Sequence, residues 1–255
     1  AQYISGGLVL LSLSQAEDER YRLIRKRIKL HSALLKEIVV IGIPAGLQSV
    51  MYSVSNIVIQ ASVNTFGTDR IAAYTAYGKI DGLFWMIMGA YGVAITTFVG
   101  QNFGAGKLDR IHKSVKICLG MAFGTAFGMS AILMLTSRGI YHLFTQDIAV
   151  VEAGMQMLLY LAPYYFTYVC VEILSGAVRG TGDSVIPMIM TCLGVCVLRV
   201  VWIWAAVPLN HTIENVLFSY PLTWSLTSVL FIFYYLQGGW LKRRIKKEQQ
   251  KSLQG

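Results

Sequence analysis

Six stretches of the chain stay apolar for about twenty residues or more, the length a helix needs to cross the hydrocarbon core of a bilayer. They fall near 38–63, 70–99, 113–136, 150–175, 185–208 and 214–237. Each predicts a membrane-spanning helix, so residues 38–237 are expected to form a six-helix unit. The stretch Ala1–Leu13 is apolar but too short to span. It reads as the last part of a helix that begins upstream. Between it and the first full span, residues 14–37 carry Glu17, Asp18 and Glu19 followed by a basic run, and predict a basic helical connector at the membrane surface. Residues 238–255 form a second basic segment.

Composition agrees with the pattern. Hydrophobic residues make up 55% of the 255 and charged residues 14%, whereas soluble domains carry about 25% charged residues. Mean hydropathy is +0.55. A net charge of +9 would suit nucleic acid, but the cations flank apolar helices, so a lipid bilayer and not nucleic acid is the expected partner. Loop charge also sets orientation. Eighteen Lys and Arg fall in the connector, the loop region holding Lys107, Arg110, Lys113 and Lys116, the loop at Arg179 and the tail, against Arg70 and Arg138 on the other side. The connector and the C-terminal tail are therefore expected in the cytoplasm, the protein being multi-pass in the plasma (inner) membrane. Cys118, Cys170, Cys192 and Cys196 all lie in apolar runs and read as packing residues, with neither a disulfide framework nor a metal site expected.

Polar residues inside the spans carry the functional signal, because hydrocarbon cannot satisfy them. In the first span Gln48, Tyr52, Asn56 and Gln60 repeat at i+4. This stripe fits either an interhelical hydrogen-bond seam or a wet substrate cavity. Pro44 marks either a kink or the first turn of that helix. Lys79 and Asp81 lie in the second span, Glu172 in the fourth and Arg199 in the fifth. Ionisable groups at that depth are rare and usually functional. Glu172 is the first choice for a group that binds and releases a coupling ion, H+ or Na+, and Asp81 the second. Pairing of Glu172 with Lys79 or Arg199 is the structural alternative. Tyr164, Tyr168 and Glu172 share a face at i+4 spacing, an aromatic wall with a carboxylate that suits an organic cation. The Gly120, Gly124, Gly128 ridge reads as a close helix contact. No nucleophile–base or metal constellation is visible, so an enzyme is not expected and no cofactor beyond the coupling ion is implied.

Two glycine-rich segments stand out: VGQNFGAGK-x-DR at 99–110 and AVRGTGDS at 177–184. Neither has the spacing of a phosphate-binding loop, so transport would draw on an ion gradient. With Gly42-Ile43-Pro44 and Lys79-Ile80-Asp81, these segments resemble the MATE (multidrug and toxic compound extrusion) family. The motif positions are Gly100, Gln101, Asn102, Gly104, Gly106 and Arg110 in the first segment, and Arg179, Gly180, Gly182 and Asp183 in the second. The resemblance implies an all-α integral membrane fold, the C-terminal six-helix lobe of a twelve-helix transporter whose N-terminal lobe lies elsewhere. It implies alternating access, ion coupling and a small cationic amphipathic substrate. NorM-type members carry acids at the positions of Tyr52 and Tyr168, so their Na+ site is not carried over, and the chain looks closer to MepA-like or DinF-like branches. Gln48, Tyr52, Asn56, Gln60, Lys79, Tyr164, Tyr168 and Arg199 are the expected cavity residues. A lipid-linked saccharide flippase would need more cations than Lys79 and Arg199, and a non-transporting scaffold would not need the polar stripe.

Overall fold

The computed structural model describes residues 2–16, 18, 22–24 and 29–254. Of the basic connector, Glu17, Glu19, Arg20, Arg25, Lys26 and Arg27 lie outside the described residues, as do the side chains of Lys247 and Lys251 in the tail. The chain divides into two units, Ala1–Val40 and Ile41–Gly255. The first contains helix α1 (Gln2–Ser14), whose Leu13 carbonyl accepts from the Leu23 amide at 2.9 Å.

Helix α2 runs Ser32–Val63, α3 Thr68–Gly104 and α4 Leu108–His142. Two shorter helices, α5 (Ile148–Leu161) and α6 (Phe166–Gly180), follow. Then come α7 (Val185–Thr191), a π-helical turn over Cys192–Val197, and α8 (Leu198–Ala206). Helices α9 (Ile213–Leu236) and α10 (Gly239–Gln254) complete the chain. Among the described residues five spans are long and apolar enough to cross a membrane, and the bent α5–α6 pair makes a sixth. Pro44 lies well inside α2, beyond its first turn.

The α5–α6 bend is 52° and has a local cause. Pro163 donates no N–H and sits in a 3-10 turn, Ala162–Tyr164. Carbonyls freed near such a break must be satisfied within the protein. The Ser130 hydroxyl donates to the Ala162 carbonyl at 2.6 Å, and Ser228 donates to the Thr167 carbonyl.

Helices α3 and α6 form the centre of the second unit, with α4 and α5 flanking α3 and α9 flanking α6. Their contact is made by glycine. A side chain at Gly176 would meet Ile95 Cγ2 at 2.8 Å, and one at Gly180 would meet the Thr96 carbonyl at 2.6 Å. The Thr96 hydroxyl donates to the Gly176 carbonyl at 3.0 Å across the same seam. The ridge of Gly120, Gly124 and Gly128 corrects an expectation. These glycines are exposed with nothing within 4 Å of a built Cβ. Helix α4 instead buries Ala122, Ala126 and Ser130, about 200° around the helix from the ridge by helical geometry.

Gly180→Ala is expected to destabilise the protein by about 1–3 kcal/mol, the usual cost of overpacking. Gly124→Ala should leave stability unchanged or slightly raised, because alanine has the better helix propensity. Thermal unfolding in detergent compares the two directly, and equal midpoints would overturn the assignment of the close contact to Gly180.

Candidate functional site

A cavity of about 480 Å³ lies among α2, α3, α6, α8 and α9. Helix α2 contributes Tyr52, Asn56 and Gln60, three of the four residues of the polar stripe. Helix α3 contributes Tyr74, Tyr77, Asp81 and Trp85, whose spacing places them along one face. Tyr168 enters from α6, Arg199 from α8, and Tyr220 with Trp224 from α9.

Asp81 is the carboxylate of this cavity and is 9% exposed. Trp85 Nε1 donates to its Oδ2 at 2.6 Å and the Tyr77 hydroxyl to its Oδ1 at 3.1 Å. Tyr77 and Tyr165 are linked through their hydroxyls at 3.2 Å. Both donors are neutral side chains that orient the carboxylate. Arg199, 3% exposed, lies with its guanidinium 4.2 Å from the centre of the Tyr220 ring. Its Nη2 donates to Thr223 Oγ1 at 3.3 Å, and its Nε has no partner among the described residues. Trp85 meets Tyr168 edge-on at 4.6 Å and Trp224 at 5.7 Å between ring centres. The walls are thus aromatic, and the cavity contains one acid and one base.

Glu172 is placed differently from either expected pairing. It sits beside Gly92, where any Cβ would collide with its carboxylate. Its Oε1 pairs with Arg179 Nη2 at 3.4 Å, seven residues along the same helix, not with Lys79 or Arg199. Its Oε2 accepts from the Tyr168 hydroxyl at 3.2 Å, and Tyr168 meets Tyr52 at 3.1 Å. A hydrogen-bonded chain therefore runs from the cavity at Tyr52 and Tyr168 to Arg179 in the last turn of α6.

Gln48, Lys79 and Tyr164 do not line the cavity. Lys79 is exposed because its position on α3, two residues from Asp81, points elsewhere. Tyr164 is 39% exposed because the 3-10 turn at Pro163 breaks the expected i+4 register, and Tyr165 turns inward in its place. Tyr74, Tyr77, Trp85, Tyr220 and Trp224 were not among the expected residues. The i+4 run of Tyr77, Asp81 and Trp85 is a readable signal for part of this group. Nothing in the sequence pairs α9 with α3.

The two glycine segments meet at the far end of α3. Gln101, Asn102 and Gly104 lie in the final turn of α3, not in a loop, and Arg179 in the last turn of α6. A Cβ at Gly100 would lie 3.2 Å from the Gly180 carbonyl. Gly106 (φ +69°) and Gly182 (φ +83°) adopt left-handed turns that require glycine. Arg110 is exposed on α4, and Asp183 Oδ1 accepts from the Ile186 amide at 3.4 Å. Helix α10 packs against this end, with Arg244 Nε donating to the Thr181 carbonyl at 2.7 Å. The tail is thus a docked helix in part, a feature its charge run conceals.

The fold is that of a multi-pass helical membrane protein with a polar, aromatic cavity buried between its spans. The MatE family model matches residues 44–205, and the chain belongs to this family. Probable multidrug resistance protein YoeA of Bacillus subtilis (strain 168) is 23% identical over 228 residues, covering 88% of this chain and 48% of that protein. Probable multidrug resistance protein NorM of Thermotoga maritima is 23% identical over 230 residues, covering 86% of this chain and 47% of that protein. A multidrug resistance MATE family transporter of the MOP superfamily, solved in an outward-facing conformation, superposes with a TM-score of 0.84. It shares 17% identity, over 94% of this chain and 55% of that one. The chain spans about half the length of the curated relatives it matches.

Tyr168→Phe removes a hydroxyl bonded to both Tyr52 and Glu172. It is expected to cost about 1–3 kcal/mol of stability, since two hydrogen bonds of 0.5–1.5 kcal/mol are lost. Tyr52→Phe should cost less, because only one bond is broken. Equal and negligible effects on thermal unfolding would remove the chain of bonds from the description.

Proposed function

We propose that the chain is the C-terminal lobe of an ion-coupled antiporter that exports cationic, amphipathic small molecules. The carrying observation is Asp81, a buried carboxylate held by neutral donors in an aromatic-walled cavity that also contains Arg199. Ionised Asp81 offsets Arg199 and leaves the cavity able to accept an organic cation against Trp85, Tyr168 and Trp224. A proton or Na+ taken up at Asp81 removes that charge from the balance, and Arg199 then repels the bound cation. Ion and substrate thus compete for one group, which is the requirement for exchange. The inward-directed ion supplies the drive, about 2.3 kcal/mol per charge at 100 mV. Rocking of this lobe against an N-terminal partner would expose the cavity to each side in turn.

Glu172 acts in this scheme through Tyr168, as a second acid on the route toward Arg179. The N-terminal lobe, the small-molecule cation and the inner membrane are the partners this reading requires. The orientation follows from the eighteen-to-two loop charge, with connector and tail in the cytoplasm. The domain limits remain those of the apolar pattern, a six-span lobe over 38–237 between basic segments. A saccharide flippase is disfavoured because Lys79 lies off the cavity, leaving Arg199 as its cation. A scaffold has no use for a buried acid and base facing one cavity.

Everted vesicles carrying the whole gene product test the reading. Asp81→Asn is expected to lower gradient-driven uptake of a fluorescent lipophilic cation by roughly tenfold or more, which is at least about 1.4 kcal/mol. Membrane expression should persist, since the asparagine oxygen still accepts from Trp85 and its Nδ2 can donate to the Tyr77 hydroxyl. Wild-type uptake by that variant would remove Asp81 from coupling, and the same result for Glu172→Gln would remove Glu172. Collapsing the pH gradient or the Na+ gradient separately identifies the ion.

A further inference from the structure

The outer faces of α3 and α4 form a second concavity, of about 500 Å³, that shares no residue with the Asp81 cavity. Its walls are apolar for most of their length. Phe98 from α3 and Ile117 and Met121 from α4 are 44%, 52% and 56% exposed. One end is closed where the Tyr91 hydroxyl meets Thr125 Oγ1 at 2.9 Å. The other end carries Arg110 and Lys113, both exposed and one helical turn apart. Neither side chain makes a hydrogen bond or ion pair among the described residues.

We propose that this groove binds an anionic phospholipid, with one acyl chain along the α3–α4 seam and the phosphate held by Arg110 and Lys113. Three observations select this occupant. The groove lies between two spans, Thr68–Gly104 and Leu108–His142, where acyl chains are the solvent. From Arg110 to Met121 the helix rises about 16 Å at 1.5 Å per residue, close to half the roughly 30 Å hydrocarbon core. An acyl chain of one leaflet therefore fills the groove and ends where Tyr91 and Thr125 close it. The cations stand only at the end near the α3–α4 turn, where the headgroup of such a lipid would lie, and Lys107 and Lys116 add to the field there. A transmembrane helix of another protein would run past the Tyr91–Thr125 closure and would have to cover two cations.

The inference does not depend on what the transporter carries. The test uses the whole gene product in phosphatidylcholine nanodiscs with increasing phosphatidylglycerol, and reads binding of fluorescent phosphatidylglycerol. Arg110→Ala with Lys113→Ala is expected to weaken that binding by roughly fivefold per cation removed, with phosphatidylcholine binding unchanged. Ile117→Trp, which fills the groove and leaves the charges, should weaken both. Lys242→Ala with Lys246→Ala removes two exposed cations from α10 and should have little effect. An equal loss from the α10 pair would mean general headgroup attraction and would overturn the site, as would wild-type binding by the Arg110, Lys113 variant. A photo-crosslinker in place of Phe98 should capture lipid. Capture of a second copy or of another part of the same protein would show that protein covers the groove, and would also overturn the proposal. Uptake of the fluorescent cation by vesicles reports the transport reading separately.

Discussion

The close approach of α3 and α6 is the constraint on which the rest of the lobe depends. Gly176 and Gly180 let the α6 backbone come within contact of Ile95, Thr96 and Val99. Gly92 leaves room for the Glu172 carboxylate in the same seam. In a bilayer, apolar side chains gain little from leaving lipid, so helices associate through close packing and interhelical hydrogen bonds. The Thr96 to Gly176 bond supplies the second of these. The seam fixes where Asp81 on α3 stands relative to Tyr168 on α6. It also joins the two glycine segments at Gly100 and Gly180, so two of the four segments that carry the resemblance meet at one structural junction.

The same solvent dictates how the polar interior is arranged. Breaking a span at Pro163 frees carbonyls that lipid cannot satisfy, and hydroxyls from α4 and α9 meet them. The break also redirects the aromatic face of the fourth span. Tyr165 stacks on Phe84 at 4.2 Å and reaches Tyr77, while Tyr164 faces outward. The bend therefore helps hold the hydroxyl network below Asp81. Arg199 is held by a ring face and one hydroxyl, not by a carboxylate. Asp81 is the acid that lines the same cavity.

Much of this was legible in the sequence. All six apolar stretches fall on the spans, because composition over twenty residues is a strong signal in a membrane protein. The i+4 stripe on α2 puts Tyr52, Asn56 and Gln60 along one face, and that face borders the Asp81 cavity. What failed has specific causes. Tyr164 was misplaced because a uniform helical register was carried through Pro163. The Gly120, Gly124, Gly128 ridge was assigned to packing by a rule that holds only where a partner helix is present. Pairing of Glu172 with Lys79 or Arg199, the structural alternative, does not occur, because Arg179 reaches it from two turns away on its own helix. Tyr220 and Trp224 were out of reach, because nothing local to α9 states which helix it faces. The docking of α10 was hidden by its charge, since the residue that matters, Arg244, bonds a backbone carbonyl.

The two acids therefore occupy unequal positions. Asp81 faces the cavity and accepts from Trp85 and Tyr77. Glu172 is tied to Arg179 and connects to the cavity only through Tyr168. A group that must exchange an ion with a cavity has to be reached from it, and Asp81 meets that condition without any rearrangement. Glu172 meets it only if Tyr168 passes a proton or moves aside. Tyr168 donates to Glu172 one turn further along α6, so the carboxylate that lines the cavity directly belongs to α3 and not to α6.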